Sequence, residues 1–210
     1  VLDKTGLAQV INDLALAVAG GLRGGPAKVA ILASGCMGTI SGSAVANVAT
    51  TGTITIPMMK KLGYQPAFAA CVEAIASTGG MIMPPIMGAA AMIMAEFLGV
   101  SYVTIMKAAL IPALLYYFAC WMVVDFEARR LNLTHLSKDQ LPKIGELLKK
   151  RGYLLIPIVA LIGLMIAGKT PLFASFWSIV IAVIVSSFSK ETRLTPKKAV
   201  EALEDAGMLA

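Results

Sequence analysis

Apolar residues run through this chain in long uncharged blocks, at 29–59, 74–95, 108–124, 154–168 and 170–189, separated by short charged segments. A helix needs roughly 20 mostly apolar residues to cross about 30 Å of hydrocarbon, so blocks of this length predict membrane helices. One stretch breaks the pattern. GCMGTISGSAVANVATTG, residues 35–52, has Gly, Ser, Thr or Asn at ten of its eighteen positions and no charge.

The 31-residue block that holds this stretch is bounded by Lys28 on one side and by Lys60 and Lys61 on the other. Cationic segments stay on the cytoplasmic side, which places both ends inside. A run that begins and ends on one side is not a single span, and two full spans would need about 40 residues plus a turn. The block therefore predicts a re-entrant helical hairpin with short arms, a turn near Ser41 to Ser43, and a second arm leaving toward Pro57.

The next segment, Pro66 to about Gly99, is too long for one simple span at about 1.5 Å per residue, and GGMIMPP lies in its middle. Gly79 and Gly80 loosen the backbone, while Pro84 and Pro85 remove two amide donors and disfavour helix in the residue before each. The expectation is a broken helix running from inside to outside, with backbone carbonyls freed near mid-membrane. A span from about Val103 to Val124 returns to the inside. Tyr116, Tyr117 and Trp121 sit toward its inner end, a depth that aromatic residues favour, although helix packing explains them equally well.

The segment 125–153 carries Arg129, Arg130, Lys138, Lys143, Lys149, Lys150 and Arg151, which reads as a cytoplasmic loop. Two apolar stretches follow, 154–168 and 172–188, joined by a tight outward turn around Lys169 and Pro171. Thr195 as N-cap, Pro196 at the first helical position and Gly207 beyond the end delimit a short cytoplasmic helix. The predicted organisation is thus an amphipathic helix, or one that enters the membrane, at 1–28, and a re-entrant hairpin at 29–58. A broken helix plus span at 64–124 forms the transport part, with a cytoplasmic loop at 125–153, a helical hairpin at 154–188 and a cytoplasmic helix at 189–210. The fold class is all-α, a polytopic integral membrane protein with a re-entrant helical hairpin and a broken transmembrane helix.

Composition agrees. The 210 residues are 58% hydrophobic and 14% charged, with mean hydropathy +0.79, against roughly 25% charged in an average soluble domain. The net charge of +6 comes from Lys and Arg between the blocks, without an aromatic-interleaved basic face, so it marks topology and not a nucleic-acid partner. Cys36, Cys71 and Cys120 lie in apolar stretches without CxxC spacing and read as small buried hydrophobes. His135 is the lone histidine, with no metal-ligand spacing around it, and reads as solvated. The apolar blocks hold no Ser with a His partner, no HExxH and no Asp pair, and no Walker A stretch is present, which argues against an enzyme or an ATP-driven pump. No secretory signal is visible at the start, and a first residue other than Met fits a piece of a longer protein.

Irregular backbone at membrane depth is tolerated only where protein or a water-filled cavity covers it. Glycines allow the turn and the approach of another helix; hydroxyls, an amide and freed carbonyls are ligands for a hard cation such as Na⁺, and half-helix N-termini suit a carboxylate. Helix packing is the competing account, since Gly38 and Gly42 form a GxxxG pair and Ala44, Ala46 and Ala49 extend its small-residue face. The neighbouring GGMIMPP favours a transport site, because paired discontinuous segments point to a transporter's centre. An acid inside a membrane segment is a functional candidate by default, but Glu73 is expected near the inner interface, facing Lys60 or Lys61. Glu96 and Lys107 flank an outer turn and mark the water boundary.

With GTISGSAVANVATTG (38–52), IPMMKKLGY (56–64) and EAIASTGGMIMPPIMGAAAMIMAEFLG (73–99) in hand, the chain resembles the large membrane subunit of the tripartite ATP-independent periplasmic (TRAP) transporters. The likeness is to the fused permeases of TAXI-type systems. ALIPALLYYFA (109–119), EARRLNL (127–133) and the turn GKTPL (168–172) extend it over most of the chain. The resemblance implies Na⁺-coupled import of an organic anion, such as a C4-dicarboxylate or a 2-oxo acid, delivered by a periplasmic TAXI-type solute-binding protein. It also implies a small four-helix membrane component, in the same polypeptide in fused forms, no organic cofactor, and a multi-pass place in the bacterial or archaeal inner membrane, in contact with lipid. The family's fold has two inverted repeats moving as an elevator; one hairpin and one broken helix are visible here, so the chain reads as a fragment covering one repeat. Carried onto this sequence, the Na⁺-site character falls on Ser41, Gly42, Ser43, Gly79, Gly80 and Met83. The substrate cavity falls on Thr39, Asn47, Thr51, Pro84 and Pro85, with Asn47 and Thr51 either lining it or tying the hairpin arms together. The competing functions are a passive channel and a non-transporting assembly subunit, since hydroxyl-rich re-entrant loops also build pores.

Overall fold

The computed structural model describes residues 6–133 and 141–187, and all regular structure among them is helical. The helices are α1 (Leu7–Ala19), α2 (Gly25–Ser41), α3 (Ala44–Leu62), α4 (Pro66–Gly79), α5 (Ala89–Leu98), α6 (Tyr102–Arg130), α7 (Ile144–Arg151), α8 (Ile156–Ile166) and α9 (Pro171–Ser187). The helix expected around Thr195 and the position of His135 lie outside the described residues.

The described residues divide into two compact units, one within Ile11–Ile144 and one that joins residues 6–10 to residues 145–187. In the larger unit α2, α3 and α4 pack against one another, and α6 lies along α2 and α4. Its core is built from small side chains, Ala27, Ala30, Ala69, Ala76 and Ala128, around Ile31, Met59, Tyr64, Val72 and Val124. Alanine at these crossings lets helix backbones approach closely, the means by which helices pack where lipid supplies no hydrophobic drive. In the smaller unit α8 and α9 form an antiparallel hairpin. Gly168 at φ +78° turns the chain, and the Ser178 hydroxyl donates to the Pro157 carbonyl at 2.9 Å.

Helix α6 is long and apolar enough to cross a membrane, with 29 residues, mean hydropathy 1.7 and only 11% of its apolar window buried. It runs six residues past Val124, through Asp125 to Arg130, because Asp125–Arg129 and Glu127–Arg130 pair along its last turns. The hairpin arms α2 and α3 have 17 and 19 residues, about 25–29 Å each, longer than the short arms that the charge boundaries suggested. On α3 the helix continues past Pro57 through the exposed Lys60 and Lys61; on α2 the reason is Lys28. It does not mark a water boundary but lies buried inside α2, its Nζ 2.5 Å from Asp125 Oδ1 and 5.1 Å from the centre of the Trp121 ring. A pair formed across 97 residues neutralises a charge that a one-dimensional reading must place in water.

The cysteines also differ from expectation: Cys36 and Cys71 are exposed and Cys120 is half-buried. An apolar block fixes that a helix is lipid-compatible, not which of its faces turns inward.

Removing one partner of a buried pair leaves the other uncompensated. Asp125→Ala strands Lys28, whereas Lys28→Met leaves Asp125 with Arg129 at 2.8 Å. Thermal unfolding in detergent should therefore show the larger loss for Asp125→Ala, about 3 kcal/mol against about 1 for Lys28→Met.

Candidate functional site

A helical hairpin, α2 with α3, and a break between α4 and α5 are both present, and they meet. Helix α2 ends at Gly42, whose φ of +62° suits a residue without Cβ, and Ser43 starts α3 as its N-cap, with its hydroxyl accepting from the Ala46 amide at 3.4 Å. Ser41 closes the two-residue turn: its Oγ accepts from the Ser43 amide at 3.4 Å and lies 3.3 Å from the Ser43 carbonyl oxygen. Between α4 and α5 the chain leaves the helix from Gly80 to Gly88, with a cis Pro84–Pro85 bond.

The two irregular segments touch through backbone. A Cβ on Gly38 would stand 2.5 Å from Gly80 Cα, and one on Gly80 would stand 2.4 Å from Gly38 Cα. A Cβ on Gly42 would meet the Met87 carbonyl at 2.4 Å. The Ile86 amide donates to the Thr39 carbonyl at 3.2 Å, and Tyr102 donates its hydroxyl to the Ile86 carbonyl. Four helix ends therefore gather in one place, the C-terminal ends of α2 and α4 and the N-terminal ends of α3 and α5. C-terminal ends carry partial negative charge and N-terminal ends partial positive charge, each near half an elementary charge.

The structure brings Ser41, Gly42, Ser43, Gly79, Gly80 and Met83 into this junction. Gly79 and Gly80 are buried; Ser41 and Ser43 are exposed at the tip. The freed carbonyls anticipated at the break are engaged in tight turns: those of Ser77, Thr78, Gly79 and Gly80 accept from the amides three residues on. Higher up the helix, the carbonyls of Ile75 and Ala76 accept from Tyr116 and Tyr117 of α6, each at 2.9 Å. Thr39 and Met83 line an apolar cavity of about 420 Å³ between α2 and α6, with Gly35, Leu114, Tyr117 and Trp121 among its walls. Pro84 is half-buried and Pro85 buried.

Asn47 and Thr51 are buried on the inner face of α3, Asn47 at the edge of the junction, where its Nδ2 lies 3.3 Å from the place of a Gly38 Cβ, and Thr51 one turn further along. The Asn47 amide donates to the Ser34 carbonyl at 2.7 Å and so ties the two arms together, while its Oδ1 is buried without a donor. Thr51 belongs to a cluster that sequence reasoning missed. Glu73 is fully buried, and its Oε1 accepts from Ser34 Oγ at 2.6 Å and Thr51 Oγ1 at 2.5 Å, with Ser77 Oγ at 3.3 Å. Its Oε2 accepts from Thr55 Oγ1 at 2.5 Å.

Glu73 thus faces the interior of the α2–α3–α4 core and not Lys60 or Lys61, which are exposed at the end of α3. The signal was present in the sequence, since Thr51 and Thr55 on α3, and Glu73 and Ser77 on α4, are each spaced to share a helix face. Nothing local showed that the two faces meet each other and Ser34.

An all-helical core in which a hairpin tip meets the break of a neighbouring helix, beside an apolar helix of membrane-spanning length, fits the class of membrane proteins. Along residues 1–210 the chain matches the family described as tripartite ATP-independent periplasmic transporter, DctM component, and it belongs to that family. It is 30% identical over 194 residues to a putative TRAP transporter large permease protein of Haemophilus influenzae, covering 90% of this chain and 44% of that protein. The C4-dicarboxylate TRAP transporter large permease protein DctM of Pseudomonas aeruginosa is 29% identical over 87% of the chain and 43% of its own length. The 2,3-diketo-L-gulonate TRAP transporter large permease protein YiaN of Escherichia coli is 26% identical over 88% and 44%. The chain spans less than half the length of these relatives. The family is one of transporter permeases, not enzymes, and its bacterial members act in the inner membrane.

Overpacking a tight backbone crossing costs about 1–3 kcal/mol. Gly38→Ala and Gly80→Ala should each destabilise the protein by that amount, read as a lower melting temperature in detergent. Gly145→Ala, whose new Cβ meets nothing within 4 Å, should be neutral or stabilise α7 by up to about 1 kcal/mol.

Proposed function

We propose that the permease containing this chain is a multi-pass, Na⁺-coupled secondary transporter that imports an organic anion, and that the junction of hairpin tip and helix break is half of its transport site. The gathering of four helix ends carries this reading. A Na⁺ ion at the C-terminal ends of α2 and α4 and a substrate carboxylate at the N-terminal ends of α3 and α5 each meet the dipole sign that favours them. Ser41, Gly42, Ser43, Gly79, Gly80 and Met83 surround the cation; Thr39, Pro84 and Pro85 border the substrate, with Asn47 and Thr51 fixing the arms behind it. Two bound charges of opposite sign in one junction account for coupling, because each raises the affinity for the other and coupling is reciprocal.

The arms of the hairpin are re-entrant in this reading, and hairpin and broken helix travel together as an elevator against a fixed scaffold. The substrate class is a C4-dicarboxylate or a 2-oxo acid, in line with the names of the Pseudomonas and Escherichia relatives. A periplasmic TAXI-type binding protein delivers it, and a small four-helix membrane component completes the complex.

Uptake of a labelled C4-dicarboxylate or 2-oxo acid by the full-length permease with its binding protein, in vesicles with and without an inward Na⁺ gradient, tests the proposal. The expected result is accumulation that requires both Na⁺ and the binding protein and falls at least tenfold in a well-expressed Ser43→Ala variant, the scale of losing a charge-assisted contact or two. Uptake that only equilibrates, independent of Na⁺, would make the stretch a channel lining and overturn the reading.

A further inference from the structure

The hairpin of α8 and α9 carries a groove that the packing of its two helices leaves open. One stripe of α9, Ala174, Ser178 and Ala182, is buried where the helix lies along α8. The neighbouring stripe, Phe173, Trp177 and Ile181, repeats every four residues and so shares one helix face. Phe173 and Trp177 stay exposed. Across from them stand Ala160, Gly163 and Leu164 of α8, and the two sides line a groove of about 500 Å³. Small residues on α8 open it: a Cβ on Gly163 would meet nothing within 4 Å.

One end of this groove is charged. Residues 154–187 contain a single charge, Lys169 in the turn, and its ammonium lies 5.8 Å from the centre of the Phe173 ring, the first aromatic of the groove. A lysine beside apolar surface usually lays its stem along that surface and carries its head out to water. Lys169 instead holds its head over the groove's mouth, and no carboxylate pairs with it among the described residues. A ring face attracts an ammonium but does not neutralise it. The length of the groove is the second constraint. From Pro171 to Ile181, α9 rises by about 15 Å, half of the roughly 30 Å of bilayer hydrocarbon. The groove therefore calls for an occupant with an anion at the turn and a slender apolar chain one leaflet long.

We propose that the groove binds one anionic phospholipid, with its phosphate at Lys169 and one acyl chain laid between α8 and α9. A helix from elsewhere in the permease is about 10 Å across and would have to bring an acid to the depth of the turn. A phospholipid brings the anion and the slender chain in one molecule. Net charge decides among the lipids. A phosphatidylethanolamine headgroup carries its own ammonium beside the phosphate and leaves Lys169 uncompensated, whereas phosphatidylglycerol has a net negative charge, the kind of headgroup that membrane-surface lysines attract. The site lies wholly within the smaller unit and does not depend on the Na⁺-coupled reading.

The experiment is native mass spectrometry of the purified, delipidated full-length permease in detergent, titrated with phosphatidylglycerol or phosphatidylethanolamine. Other surfaces of the permease take up lipid as well, so the difference between variants is what is read. Wild type should hold one phosphatidylglycerol about tenfold more tightly than Lys169→Gln does, the scale of one charge-assisted contact, and Lys169→Arg should stay within about twofold of wild type. Phosphatidylethanolamine should bind wild type no more tightly than phosphatidylglycerol binds Lys169→Gln. Gly163→Leu, whose Cβ enters open space, should lose the tight phosphatidylglycerol while its melting temperature holds, and Ala160→Leu narrows the same groove as a second variant. Equal affinity in wild type, Lys169→Gln and both groove-filling variants would overturn the proposal and mean that another part of the permease covers the groove. A loss in Lys169→Gln with none in either groove-filling variant would overturn it too, because a headgroup would then meet a surface charge with no chain bound. Equal affinity of wild type for the two lipids would overturn the anionic headgroup.

Discussion

The contact on which the larger unit depends is backbone against backbone, Gly38 on α2 against Gly80 at the end of α4, closer than any side chain allows. Everything distinctive about the site follows from that approach. It brings the hairpin tip under the break, puts Gly42 on the Met87 carbonyl, and lets the Thr39 carbonyl take the Ile86 amide. Buried non-helical backbone is stable only when its polar groups are satisfied, and here each irregular segment helps to satisfy the other. Tyr116 and Tyr117 close the arrangement from α6 by capping carbonyls of α4.

Beneath the crossing the same three helices are joined by a polar knot around Glu73. Small residues set the distance between helices, and the hydroxyls of Ser34, Thr51, Thr55 and Ser77 fix their register, since a hydroxyl displaced by one helical position no longer reaches the carboxylate. Such a network is stable only when every member has a partner. The single buried acceptor near it without one is Asn47 Oδ1 among the described residues, at the side that faces the tip.

Much of the fold was legible along the chain. Gly42 and Ser43 announced a turn because one suits a left-handed conformation and the other caps a helix, and GGMIMPP announced a break because proline supplies no amide. The apolar part of α6 up to Val124 was readable from length, though not its last six residues, and the hairpin at GKTP from its apolar flanks and turn residues. Charge boundaries failed at Lys28, where a partner 97 residues away removed the need for water. Glu73 failed for the same reason: an acid was assigned to the nearest cations in sequence, while its true partners were neutral hydroxyls on two other helices.

By itself the sequence determined that the chain forms apolar helices, where they turn and break, and the family to which it belongs, because these depend on local composition and on motifs a few residues long. The tertiary structure alone decided which helix faces meet. That placed the tip against the break, Lys28 beside Asp125, and Glu73 within a ring of hydroxyls. Burial and pairing depend on what arrives from elsewhere in the chain, and no window of local sequence contains that information.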